Sequence, residues 1–228
     1  MLHRRTLPRA KGTGRLDAVV LDVVAAVGGV GLGLGLGLGL GLGLPRDEVS
    51  AVTQRAPVQA LVAVGANLGD ARGSVLQALE SLKSLPQTQC TGVSALYQTA
   101  PWQAQGPDFI NAVAKLHTTL TAPDLLMALQ SLEQAAGRER PYPNAPRTLD
   151  LDLVCFGDAT MESPRLTLPH PRWRERAFVV LPLRDVAPEL VDEALLQTVS
   201  GQIIERLTLA WDSRGLSAVG TGQTQPLA

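Results

Sequence analysis

The segment "PRTLDLDLVCFG", residues 146–157, places two carboxylates two residues apart. Leu149, Leu151 and Leu153 alternate with Asp150 and Asp152, which is the period of a half-buried strand. Both aspartates therefore share the polar face, roughly 6.5–7 Å apart along the strand. Like charges so placed repel each other, unless the face binds cations. Mg²⁺ is held by one or two carboxylates together with substrate phosphate oxygens. Two such ions about 3.5–4 Å apart can clamp the attacking and leaving oxygens of an in-line displacement. The neighbouring basic residues suit the same chemistry. Lysine occurs only at Lys11, Lys83 and Lys115, whereas the segment from Glu133 to Arg176 carries Arg138, Arg140, Arg147, Arg165, Arg172, Arg174 and Arg176. A guanidinium presents a planar fork of donors that matches phosphate oxygens. Carboxylates with arginines describe a site for a metal-bound polyphosphate; taken separately, the arginines read as a solvated, salt-bridged surface and the paired aspartates as an exposed strand face. No G-x-x-x-x-G-K-[ST] loop occurs, which excludes a P-loop enzyme.

The elements that position these residues begin near Val58. "VQALVAVG" has the composition of a buried strand ending at Gly65, and "ARGSVLQALESLKSL" carries a helical stripe of Val75, Leu76, Leu79, Leu82 and Leu85. "CTGVSALYQT" is expected as a second strand, "APWQAQGPD" as a Pro- and Gly-punctuated loop and "FINAVAKLHTTL" as a third strand. Thr121, Pro123 and Asp124 predict the start of a helix that stops at Gly137. The loop "RERPYPNAPR" then leads to the aspartate strand. The order is βαββαβ, an α+β plan with helices on one face of an antiparallel sheet. Beyond it come the loop "LPHPRWRER", an apolar helix or strand near "AFVVLPL", and a weaker amphipathic stretch to about Trp211.

Length and composition bound the rest. The chain has 228 residues, enough for one domain with extensions. A net charge of −1 excludes the basic footprint of general nucleic-acid binding. Cys90 and Cys155 lie in strand-like segments with no partner at metal-ligand spacing, so two reduced thiols of a cytoplasmic protein are expected. Residues 1–57 differ in composition from the remainder of the chain: a basic start precedes an uncharged run from Val23 to Leu44 that includes seven Gly-Leu pairs from Gly31 onward. The run has the length of a membrane span, and the basic start resembles a signal-peptide n-region. Each glycine, however, costs a helix about 1 kcal/mol relative to alanine, and dipeptide repeats are low-complexity sequence. A disordered leader over 1–57, a globular domain over 58–213 and a disordered tail over 214–228 are expected, with no membrane association.

Five collinear segments carry a resemblance. "VAVGANLGD", "YQTAPW", "GPDFINAVA", "PRTLDLDLVCFGD" and "LTLPHPRWRERAFVVLPLRDVAPEL" are together similar to the 6-hydroxymethyl-7,8-dihydropterin pyrophosphokinases of folate biosynthesis, over about Val58 to Leu190. The resemblance implies a ferredoxin-like fold, which agrees with the βαββαβ order. It implies transfer of pyrophosphate from ATP to the pterin hydroxymethyl group, two Mg²⁺ ions on Asp150 and Asp152, and a monomer whose partners are ATP and the pterin. Arg138, Arg140 and Arg147 match an arginine loop over ATP, with Arg138 and Arg147 supporting the developing charge. Arg165, His170, Arg174 and Arg176 match positions around the nucleotide, and Glu133 an acid near its adenine end. Thr99, Ala100 and Trp102 match the loop lining the pterin pocket; Asn111 matches the amide at the pterin edge, and Phe109 and Phe178 the aromatics that sandwich the ring. An amide carries donor and acceptor together, as that edge requires. The chain departs from the pattern at Ala66, where serine is frequent, at Phe109, where tyrosine is common, and at Asn144, where some members carry tryptophan. Three other readings are weighed against this one, the weakest a membrane-tethered scaffold. A nucleotidyltransferase can also use a paired-aspartate strand, and a ferredoxin-like RNA-binding module would show aromatics in an RNP pattern, which the sequence lacks.

Overall fold

A computed structural model describes residues 55–101, 106–137, 147–208, 210–212 and 215–217. Trp102, Arg138 and Arg140, and the expected leader up to residue 54, lie outside the described residues. The first elements follow the expected order: β1 (Val58–Ala66), α1 (Ala71–Lys83), β2 (Thr88–Val93), β3 (Tyr97–Thr99), β4 (Phe109–Thr118), α2 (Ala122–Ala135) and β5 (Asp150–Phe156). β4 pairs with β1 on one edge and with β2 and β3 on the other; β5 pairs with the far edge of β1, and all of these pairs are antiparallel. This is the ferredoxin-like α+β arrangement. The expected second strand is broken in two because Val93 pairs with Ala114 and Tyr97 with Asn111, so one extra residue must be absorbed. Ser94 fills the break: its N donates to Val113 O at 2.9 Å, and its Oγ accepts from Val113 N at 2.9 Å.

Local chemistry sets the helix ends. Asp70 caps α1 by accepting from Gly73 N at 2.9 Å, and a Cβ on Gly73 would lie 2.3 Å from the Asp70 carboxylate. Thr121 caps α2 through Asp124 N at 3.3 Å, with Pro123 in the first turn, as the sequence predicts. Gly137, at φ +78°, ends that helix.

The chain continues through the hairpin β6 (Met161–Glu162) and β7 (Thr167–Leu168), α3 (Ala177–Val186), α4 (Glu193–Val199) and β8 (Ile204–Arg206), which adds to the sheet beside β3. "AFVVLPL" is thus a helix. A further short pair, β9 (Ala210–Asp212) and β10 (Gly215–Ser217), reaches into the stretch expected as a tail. The sheet is covered on both faces rather than one. α1 and α2 pack with Ala60, Val62, Val64, Ala112, Ala114, Leu151 and Leu153. α3 and α4 pack with Leu61, Val113 and Val154 on the opposite side. The sequence signal for this is the uninterrupted apolar run of Ala60, Leu61 and Val62, all buried at 0–1% exposure, which needs cover on both faces. Cys90 and Cys155 are both free, and burial pushes both thiols up. Among the described residues no helix is long and apolar enough to cross a membrane.

α3 is tied to the broken strand by Asp185, whose Oδ2 accepts from Ala95 N at 3.0 Å and from Tyr97 Oη at 3.1 Å. Burial, and next the Asp185 charge, push the Tyr97 phenol from 10.0 up to about 12. A folded value above the unfolded one means that this contribution is complete below pH 10.0 and is lost as pH rises toward about 12. Tyr97→Phe should therefore cost about 1 kcal/mol at pH 7, the worth of one hydrogen bond. In urea unfolding the gap to the unsubstituted protein should close above pH 10.0; a constant gap across that range would remove the phenol from the account.

Candidate active site

Alternation along the strands gathers polar residues at one end of the α3-side face. On β4, Asn111 and Phe109 follow the parity of Val113, which packs under α3. On β5, Asp150 and Asp152 oppose Leu151 and Leu153, which face the other core. Gly65 of β1 lies between them, paired with Asn111 on one side and Asp150 on the other. A Cβ at Gly65 would sit 3.1 Å from Asn111 Oδ1, so glycine is what allows the amide to lie across β1. Asn111 is 4% exposed, and its Nδ2 donates to Thr99 Oγ1 at 3.0 Å, which fixes the amide's orientation.

Each aspartate has an arginine. Arg147 Nη1 donates to Asp150 Oδ2, and Arg176 Nη1 lies 3.5 Å from Asp152 Oδ2. The compensation is incomplete: burial, and then the charge of Asp150, hold the Asp152 carboxyl above the usual carboxylate range. Among the described residues, Thr148 Oγ1 and Arg176 Nε are buried without a partner beside the pair. Two carboxylates side by side, offering oxygen donors alone, suit a hard divalent cation. Burial lowers the His170 imidazole, with the Asp152 charge opposing it. His170 Nδ1 accepts from Arg172 N at 3.2 Å, which leaves the neutral ring's proton on Nε2. The residue is placed by a β-bulge: Val62 pairs with Leu153 but Leu61 with Cys155, and the carbonyl of the extra residue, Val154, accepts from His170 N at 2.8 Å.

The profile of the 7,8-dihydro-6-hydroxymethylpterin-pyrophosphokinase (HPPK) family matches residues 61–188. The chain belongs to this family. It is 45% identical over 130 residues to a Pseudomonas aeruginosa 2-amino-4-hydroxy-6-hydroxymethyldihydropteridine pyrophosphokinase, covering 57% of this chain and 80% of the relative. It is 35% identical over 162 residues to the Methylorubrum extorquens protein of the same name, covering 71% of this chain and 98% of the relative. Among solved structures, a Plasmodium falciparum HPPK-DHPS with pterin and p-hydroxybenzoate superposes with a TM-score of 0.54 at 14% identity, over 73% of this chain and 49% of that one. This chain therefore spans about half of that longer protein, and the likeness concerns the fold.

In this HPPK fold, the structure brings together Thr99, Asn111, Arg147, Asp150, Asp152, His170 and Arg176. Phe178 lies in the first turn of α3, with the Arg176 guanidinium 5.5 Å from its ring centroid. Phe109 is half-buried at the start of β4, and Ala100 is exposed at the end of β3. Arg165 is exposed on the β6–β7 turn, and Arg174 is stacked on Trp173 at 4.6 Å. Glu133 is 4% exposed, and its Oε1 accepts from Leu151 N at 2.7 Å, on the edge of β5 that β1 does not cover. The acid expected near the adenine end thus holds the main chain between the two aspartates. Asn67 is a residue that sequence reasoning passed over. It is 2% exposed; its Oδ1 accepts from Arg147 N at 2.7 Å, its N donates to Arg147 O at 3.0 Å, and its Nδ2 donates to Pro107 O at 3.2 Å. An amide immediately after a buried strand, in "GANLGD", was the available signal.

Glu133→Leu would leave the Leu151 N–H buried with no acceptor on that side, at a cost of about 1–3 kcal/mol. Glu133→Gln keeps a carbonyl oxygen and should retain most of the stability. Equal urea midpoints for Glu133→Leu and the unsubstituted protein would show that the strand does not depend on this carboxylate.

Proposed function

We propose that Asp150 and Asp152 hold two Mg²⁺ ions, that Arg147, His170 and Arg176 face the ATP phosphates, and that Thr99, Asn111, Phe109 and Phe178 form the pterin pocket. The reaction is that of the family: pyrophosphate passes from ATP to the hydroxymethyl group of 6-hydroxymethyl-7,8-dihydropterin and AMP is released, a step of folate biosynthesis. The observation that carries this reading is the pair of aspartates, each against its own arginine, on the sheet face that also presents Asn111.

The metal, when bound, neutralises the phosphate charge and holds the attacking and leaving oxygens in line. This chain's residues supply position and charge. The pterin hydroxyl oxygen loses its proton to solvent and forms a bond to the β-phosphorus, the bond from that phosphorus to the oxygen bridging the α-phosphate breaks, and the electron pair leaves with AMP. With the carboxylates engaged by cations, Arg147 and Arg176 can turn their donors to phosphate oxygens. His170, neutral and protonated on Nε2, can donate to an oxygen without adding charge. Asn111, oriented through Thr99, presents Oδ1 to the donors of the pterin edge. Arg138, Arg140 and Trp102 are assigned to the loops over ATP and pterin through the family pattern. The free thiols support a cytoplasmic setting.

AMP release from ATP, Mg²⁺ and the hydroxymethyl pterin tests the reaction; release of pyrophosphate instead would signal nucleotidyl transfer. Asp150→Asn and Asp152→Asn should each lower the rate on the order of a hundredfold or more, since a metal contributes several kcal/mol and each ~1.4 kcal/mol is tenfold. Without metal, Asp152→Asn should be at least as stable at neutral pH. A carboxyl raised by folding destabilises the fold once ionised, so this gain should fade as pH falls through the raised value to below 3.8. Asparagine variants with full activity would sink the metal assignment. Asn111→Ala should weaken pterin binding about tenfold or more while leaving ATP binding intact, because an unmatched polar edge in a dry pocket costs about 1–3 kcal/mol. Calorimetric titration of each ligand checks this, and equal weakening of both would misplace the pocket.

A further inference from the structure

The segment after α4 lies beyond residues 61–188, the span that the family profile matches, yet it holds the main chain around Arg176. Gln202 Oε1 accepts from Ala177 N at 3.0 Å, and Gln202 Nε2 donates to Glu175 O at 2.7 Å. Arg176 is the residue between those two groups. Thr198 Oγ1, bonded to Leu195 O at 2.6 Å, also lies 3.3 Å from Arg174 O. α3 needs this help: the first N–H groups of a helix have no intrahelical acceptor, and Arg176 at its N-cap provides no side-chain bond. Two residues past Gln202, β8 pairs with β3, with Ile204 opposite Thr99. The same short segment therefore touches the strand that orients Asn111 and the turn that presents Arg176 and Phe178.

We propose that Gln202 is a positioning residue for pyrophosphoryl transfer: its side-chain amide clamps both flanks of Arg176 and so sets that guanidinium against Asp152 and over the ring of Phe178. The proposal rests on the reading of Arg176 as part of the nucleotide site. Arg176 is where it matters because its side chain is 18% exposed, 3.5 Å from Asp152 and 5.5 Å from the Phe178 ring. A small rotation of the 175–177 peptide units moves the guanidinium away from both partners. Glutamine suits the task because one planar group offers an acceptor to Ala177 and a donor to Glu175. Leucine has similar size and neither function.

The test is a double-mutant cycle on the full chain, read as kcat/KM for ATP in AMP release and accompanied by circular dichroism to establish folding. Gln202→Leu should lower kcat/KM about tenfold, a change of ~1.4 kcal/mol. Arg176→Ala should lower it further. The double variant should be no worse than Arg176→Ala alone, because the group through which Gln202 acts has gone. Gln202→Glu keeps the acceptor at Ala177 N and loses the donor at Glu175 O, so an intermediate loss is expected. Should Gln202→Leu not fold, the cycle is run with Gln202→Glu under the same criterion. Gln197→Ala, a surface change on α4, should leave activity unaltered. A Gln202 variant with full activity, or an equal loss with and without Arg176, overturns the proposal. A fully active Arg176→Ala overturns the site reading itself, and shows up in that single variant.

Discussion

Two carboxylates held side by side on one strand face impose a charge problem that the surrounding structure is built to contain. Asp150 has Arg147, three residues before it, and Asp152 has Arg176, reached through a long excursion of chain. The pairing does not cancel the repulsion. Asp152 is still harder to ionise than an ordinary aspartate, first because it is partly buried and then because Asp150 is near. Such a pair in an apolar surround would be a structural liability. As the proposed seat for divalent cations and a triphosphate it would be in balance, since added positive charge relieves the carboxylates and added negative charge occupies the arginines. The same charges are the physical basis of the proposed seat for a metal-bound nucleotide.

Precision at this site comes from buried and half-buried polar side chains that hold main chain. Asn67 fixes Arg147 at both its N–H and its carbonyl. Glu133 takes the Leu151 N–H, between the aspartates. Gln202 spans Arg176. None of the three needs to touch a reacting atom. Each satisfies a backbone group beside a site residue, and a main chain held there restricts the direction of the neighbouring side chain. Peptide planes held at such points leave little freedom to the side chains that project from them.

The sheet separates support from function. Its α1–α2 face is a continuous apolar core of alanine, valine and leucine. Its other face is apolar only where α3 and α4 cover it, with Leu61, Val113 and Val154 beneath them. Past the start of α3 the same strands switch to Gly65, Asn111, Asp150 and Asp152. The bulge at Val154 marks that change and turns a strand carbonyl toward His170. One register irregularity thus links the carboxylate strand to the loop that carries the histidine.

Much of this was legible in the sequence because it depends on local periods. The alternation of "LDLDL" was enough to put Asp150 and Asp152 on one face, and Thr121, Pro123 and Gly137 marked the ends of α2. Periodicity and turn signals also gave the βαββαβ order, and the ordered motifs carried the family, whose fold agrees with it. What only the tertiary structure decided were relations between residues far apart in the chain: cover on both faces of the sheet, the break at Ser94, the capture of Leu151 by Glu133, and the grip of Gln202 on the flanks of Arg176. Periodicity reports which face of its own element a side chain occupies. It carries no information about which distant backbone group a buried carboxylate or amide will meet, because that partner is brought near only when the chain closes on itself.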